Sequence, residues 1–130
     1  MNQRTHLKAD PWLIGKPILI EDNTRSEVEL LATENMAVDK QKLIHGGFTF
    51  SLADYAAMVA VNDPYVVLGS CEARFIAPVK VGDLMRAVAE VNETDGKKRL
   101  VSVKVSVEDK TVFTGKMKCY ILDRHVLDTS

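Results

Sequence analysis

Residues 45–64 read HGGFTFSLADYAAMVAVNDP: His45-Gly46-Gly47, an apolar run carrying one acid at Asp54, and a stop at Asn62-Asp63-Pro64. From Gly46 to about Val61 the stretch is rich in Ala, Leu and Met and nearly apolar all round, the pattern of a helix buried on most sides. Pro64 cannot continue a helical ladder, so the helix stops before it. Outward from this helix the periodicity changes. Upstream, Trp12–Gly15 reads as a short helix or turn. Pro17–Ile20 and Arg25–Thr33 read as strands, with turn chemistry at Asp22-Asn23. Downstream come strands at Tyr65–Ile76, Leu84–Asn92, Arg99–Glu108 and Thr111–Leu122, separated by Pro78 and Gly82-Asp83, by Thr94-Asp95-Gly96 and by Asp109-Lys110. In the third of these, apolar Val101, Val103, Val105 and Val107 alternate with Ser102, Lys104, Ser106 and Glu108, so one face is buried and the other meets solvent. The order predicts an α+β fold in which one long helix packs against a curved antiparallel sheet.

The 130 residues fit a single domain over 1–130. Seventeen Lys and Arg against 18 Asp and Glu leave a net charge of −1, which argues against a general nucleic-acid binder. Met1–Pro11 has no apolar core resembling a signal peptide, and the interrupted apolar stretch Phe48–Val61 is too short to span a bilayer. Cys71 and Cys119 form neither a CxxC nor a zinc spacing, as expected of reduced core residues in a cytoplasmic protein. No metal site is expected.

The chemistry concentrates in residues 45–54. Glycines opening a helix let a ligand approach the backbone and offer amides with no partner inside the helix. The helix dipole adds positive potential at the same point, so the site can hold an oxyanion or polarise a thioester carbonyl. A glycine-softened turn capped by His45 is the plain structural alternative. Asp54 is costly to bury charged and unpaired. It reads either as a solvated or backbone-bonded acid, or as a general base or nucleophile tuned by apolar surroundings. The nine positions from His45 to Asp54 span about 13 Å of rise and leave roughly half a turn of angular offset. The Gly46 amide and Asp54 of one chain therefore do not easily meet around one small carbonyl. A reaction using both needs two subunits related by a two-fold axis.

His45-Gly46-Gly47 with Phe50-Ser51-Leu52-Ala53-Asp54 and Asn62 resembles the signature of hotdog-fold acyl-CoA thioesterases of the phenylacetyl-CoA thioesterase (PaaI-like) group. Cys71–Pro78 with Gly82-Asp83 resembles the strand and proline–GD turn that follow in that family. The likeness runs from about Arg25 to Tyr120. It implies a hotdog fold, a curved sheet wrapped around the Gly46–Val61 helix, in homodimers that often pair into homotetramers. It also implies roles: the Gly46 amide polarises the thioester carbonyl, Gly47 permits the turn, and His45 supports it or contacts substrate. Asp54 attacks or activates water, facing Gly46 of the neighbouring subunit. The implied reaction hydrolyses a small or medium acyl-CoA to a carboxylic acid and CoA, with no metal or redox cofactor.

Three positions depart from the family pattern. Asp39 stands where an amide side chain is usual; it would orient water, pair with Lys40 or Lys42, or face solvent. Lys42 replaces a common glycine, and Met58 a hydroxyl residue. For the CoA phosphates the candidate cations are Arg74, Lys80, Lys97, Lys98 and Arg99, against the reading that they are ordinary charges at turns. Phe48, Phe50, Tyr55 and Met58 read as core or dimer interface before acyl pocket.

Two other classes compete. The same fold serves as the acyl-CoA sensor domain of a malonyl-CoA-responsive repressor, and Val112–Lys118 resembles that domain too. The roughly 24 residues ahead of the first strand pair are expected to leave no room for a DNA-binding segment, and the sensor domains tend to lack the HGG and acid pairing. An enoyl-CoA hydratase of this fold would use an Asp and a His, superficially Asp39 and His45, but the remainder of its motif is absent.

Overall fold

A computed structural model describes residues 2–128. Six strands form one antiparallel sheet in the order β1-β2-β4-β5-β6-β3. They are β1 (Lys16–Glu21), β2 (Arg25–Leu31), β3 (Val66–Phe75), β4 (Leu84–Asp95), β5 (Lys98–Val107) and β6 (Lys110–Ile121). The sheet curls around α1 (Gly46–Val61), the one α-helix among the described residues, which touches every strand. This is the hotdog architecture expected from the sequence.

Alanines at 53, 56, 57 and 60 have no exposed surface and let the sheet close on α1 from several sides. Met85, Ala87 and Ala89 of β4 and Val101, Val103 and Val105 of β5 point inward at period two, as the alternation requires. Each larger apolar side chain so buried contributes about 1.5–3 kcal/mol. The polar intruder Ser26 donates its hydroxyl to the Ala56 carbonyl at 2.6 Å, which satisfies a buried group on each partner.

Two strand ends move by more than one residue. β2 stops at Leu31 instead of Thr33, because the Ala32 amide leaves the ladder to bond Asp83 O. β4 runs on to Asp95, since Glu93, Thr94 and Asp95 pair with Leu100, Arg99 and Lys98 beyond a bulge between Val91 and Glu93. The turn expected at Thr94-Asp95-Gly96 narrows to Gly96-Lys97, with Gly96 at φ 60°.

The pairing register gives the sheet two ends. Leu31, Leu84, Val107 and Phe75 gather at the end that carries the α1 N-terminus. Arg25, the Lys97–Arg99 turn, Tyr120 and Val66 gather at the other. β3 is an edge strand, exposed along most of Gly69–Phe75, with Phe75 59% and Ile76 54% exposed beside it. Among the described residues, no helix is long and apolar enough to cross a membrane.

Candidate functional site

At the α1 N-terminus, His45 is the cap, and its Nδ1 accepts the Gly47 amide at 2.8 Å. A Cβ on Gly47 would sit 2.9 Å from that Nδ1, so Gly47 is small to admit the imidazole. The Gly46 amide donates to no protein acceptor among the described residues. A Cβ on Gly46 would meet the Phe75 ring at 3.2 Å, so this amide lies against the exposed end of β3. It opens on a cleft of about 310 Å³ lined by Leu43, Ile44, Thr49, Phe75, Ile76 and Val79 among others. Among the described residues that lining contains no charged side chain.

Asp54 lies two turns further along α1. Its Oδ1 is sealed from solvent and accepts no hydrogen bond, while the side chain lines a separate cleft of about 690 Å³. Burial pushes its pKa up from 3.8. Cys71 of β3 and Cys119 of β6 lie within reach of this charge. Burial first, then the Asp54 carboxylate, raises both thiols, Cys119 to about 12. Thiols raised in this way are poor nucleophiles at neutral pH. Met58 follows Asp54 by one helical turn on the same cleft, where it supplies an apolar wall.

Gly46 and Asp54 thus open on different clefts of one subunit, one at the end of the helix and one midway along it. An amide with no acceptor and a carboxylate with no donor are complementary halves, and the subunit itself does not join them.

The remaining candidates divide by engagement. Asp39 is exposed, and its Oδ1 accepts the amides of Gln41 and Leu43 at 3.0 and 3.2 Å, holding the loop before His45. Lys42 pairs with Glu34 at 2.9 Å and sits at φ 71°, which accounts for the fit of glycine at that position. Lys80 pairs with Asp83 at 3.1 Å and Lys97 with Asp123. Arg99 donates to Asn23 Oδ1 and to the Gly96 and Lys98 carbonyls. Arg74 and Lys98 have no ion pair among the described residues. Arg74 is on β3 toward the Gly46 end, whereas Lys97–Arg99 turn at the opposite end. Tyr55 and Met58 are core residues, and Phe48 and Phe50 pack against the core.

Sequence reasoning missed the N-terminal segment. Residues 4–8 form one wall of the Asp54 cleft, with Pro64–Leu68, His125 and Val126 on the others. Asn62 fastens that segment. This residue is 1% exposed and left-handed at φ 57°. Its Oδ1 accepts the Arg4 amide at 2.8 Å, while its Nδ2 donates to Asn2 O at 2.7 Å and Asp22 Oδ1 at 2.6 Å. Among the described residues, no cluster of three or more His, Cys, Asp or Glu has metal-holding geometry.

A family model described as the thioesterase superfamily matches residues 41–114. The chain is 45% identical over 116 residues to part of a methylthioribose-1-phosphate isomerase of Aquifex aeolicus, covering 89% of this chain and 25% of that protein. It is 34% identical to a transcription factor FapR of a Thermoanaerobacter species, covering 88% of this chain and 58% of the relative. The chain therefore spans between a quarter and somewhat over half the length of these curated relatives. Among solved structures, an uncharacterized protein of Pyrococcus horikoshii superposes with a TM-score of 0.96 and 55% identity, over 98% of each chain. The PaaI protein of the E. coli phenylacetic acid degradation operon superposes with a TM-score of 0.79 and 25% identity, over 87% of this chain and 83% of that one.

Proposed function

The chain belongs to the thioesterase superfamily, and on that premise we propose that it is an acyl-CoA thioesterase whose active site is shared between two subunits. The observation that carries this reading is the pair of unsatisfied groups: the free Gly46 amide in one cleft and the sealed, unpartnered Asp54 Oδ1 in another. A two-fold dimer brings the amide of one protomer to the carboxylate of its partner. The exposed edge of β3, with Phe75 and Ile76, is the surface that supports such pairing.

The chemistry follows from those groups. The Gly46 N–H, at the positive end of α1, stabilises the negative charge that grows on the thioester oxygen. The Asp54 carboxylate takes a proton from water as the water oxygen bonds to the carbonyl carbon. The tetrahedral adduct then expels sulfur. The carbon–sulfur bond breaks, and the proton held by Asp54 passes to the leaving thiolate, giving a carboxylic acid and free CoA. His45 and Gly47 keep the helix start rigid, and Asp39 acts through the loop that delivers His45. CoA enters as part of the substrate, and the reaction so written needs no metal or redox cofactor.

A binding role without hydrolysis is the second reading, favoured by the match to relatives named as transcription factors over 88% of this chain. Thiol release from a panel of acyl-CoA esters separates the two. Hydrolysis by the wild type supports the enzyme; no hydrolysis across the panel, with CoA esters raising the melting temperature, supports the sensor. Sedimentation of a stable monomer at micromolar concentration would overturn the shared site.

A further inference from the structure

The wall of the Asp54 cleft built by residues 4–8 has no part in the mechanism, yet it is held firmly. Asn62 fastens the backbone at residues 2 and 4, and Gln3 Nε2 donates to the Tyr55 hydroxyl at 2.9 Å. Thr5 is buried, and its hydroxyl bonds His6 Nδ1 at 2.8 Å. His6 then turns the chain through φ 55°, and Ala9 N closes the bend on His6 O at 3.1 Å. This strap sets Arg4, His6 and Lys8 along the cleft, with His125 on another wall. Among the described residues Asp54 is the sole carboxylate in the lining. Neither Arg4 nor Lys8 has an ion-pair partner among the described residues, in contrast to Lys80 and Lys97.

Both clefts are largely apolar, and they differ in charge: the Asp54 cleft also carries Arg4 and Lys8, whereas no charged side chain among the described residues lines the Gly46 cleft. The phosphates of a polyanionic carrier therefore find cations at the Asp54 cleft and none at the Gly46 cleft. We propose that the phosphates of the carrier lie over Arg4 and Lys8 of the protomer that supplies Asp54. The acyl group then occupies the apolar cleft beside Gly46 of the other protomer. Guanidinium and ammonium groups make short, charge-assisted bonds to phosphate oxygens. The assignment rests on the thioesterase reading of the site and extends it by giving the substrate a direction.

Calorimetric titration of the protein with CoA itself tests this without requiring turnover. The Arg4→Gln/Lys8→Gln variant should bind CoA at least about tenfold more weakly, the loss expected when one or more charge-assisted bonds disappear. Its melting temperature should stay at the wild-type value, because the strap is fastened through backbone groups. The Arg4→Lys variant should retain most of the affinity. Unchanged CoA affinity in the double variant overturns the proposal. So does an equal loss for pantetheine, which lacks the nucleotide phosphates. A loss confined to thioesters with a carboxylated acyl group also overturns it, because the anion held would then belong to the acyl end. If no ester is hydrolysed while CoA affinity still falls in the double variant, the direction stands and the hydrolytic reading fails. If hydrolysis holds and affinity does not change, only the direction fails.

Discussion

Replacing Asp54 by Asn keeps the side chain's shape and removes its charge, and the structure predicts opposite consequences for rate and for stability. Oδ1 is sealed and unpartnered, whereas the other oxygen keeps its outlet to the cleft. In the variant the amide oxygen can take the sealed position and the amide nitrogen the open one, so no donor is newly buried. Both side chains leave an oxygen unpartnered there, so what differs is the charge, whose burial costs more than that of a neutral polar group. The second oxygen faces the cleft and limits that excess, so Asp54→Asn should stabilise the fold by about 1 kcal/mol at pH 7.5. For a domain of this size that is a rise of ~3–6 °C in melting temperature. The same change removes the proposed general base, and on that reading kcat should fall by at least ~10²-fold.

The pH dependence has a definite sign. Burial raises Asp54 above 3.8 in the folded state. Between 3.8 and the folded-state value, the native protein holds a proton that the unfolded chain releases. The group's stabilising contribution is thus complete below 3.8 and is lost as pH rises through the raised pKa. Under the proposed mechanism the rate runs the other way, because that mechanism needs the carboxylate. Thermal melts and thiol-release rates on both proteins from pH 4 to 8 measure this directly. The stability gap between variant and wild type should narrow toward pH 4 while the wild-type rate declines. An Asn variant that hydrolyses as fast as wild type would refute the assigned role, and one that melts lower at pH 7.5 would refute the account of the sealed oxygen.

Gly46→Ala keeps the backbone amide but presses a methyl group on Phe75 at 3.2 Å. Since Phe75 is exposed and can swing away, the melting temperature should fall by no more than ~3 °C while kcat/KM drops at least ~10-fold, as stopped-time assays would register. His45→Ala should lower stability by about 0.5–2 kcal/mol through loss of the cap on Gly47, and His45→Asn should recover most of it in denaturant titrations. Asn62→Gly suits φ 57° but deletes all three side-chain bonds. It should therefore leave residues 2–9 open to limited proteolysis, and protection equal to wild type would contradict the strap.

The helix was legible because its signals agree: paired glycines, a run with no polar face, and Asn62 before Pro64. The inner strands were legible through the alternation at Val101–Val107. The end of β4 was not, since Asn92, Glu93, Thr94 and Asp95 extend past the core and are polar on both faces. The bulge at Val91–Glu93 breaks the phase as well. At the site, one acid in an apolar run announced Asp54, and helix arithmetic separated it from Gly46. The strap left no trace in the pattern, because backbone amides and the side chains of Gln3 and Asn62 fasten it, and such bonds have no period. The nearness of Cys71 to Asp54 depends on how β3 docks beside α1, which local sequence does not record.

The fastening of the strap bears on how this protein can diverge. Arg4 is held by its amide, and Asn2 by its carbonyl. Substitution at positions 4 and 8 leaves those anchors in place. The cleft wall can thus accumulate changes of charge and size almost free of selection for folding, while α1 and the sheet stay fixed by packing. Descendants of one scaffold could exchange one ligand for another by rewriting a few residues of the strap, with Gly46 and Asp54 untouched.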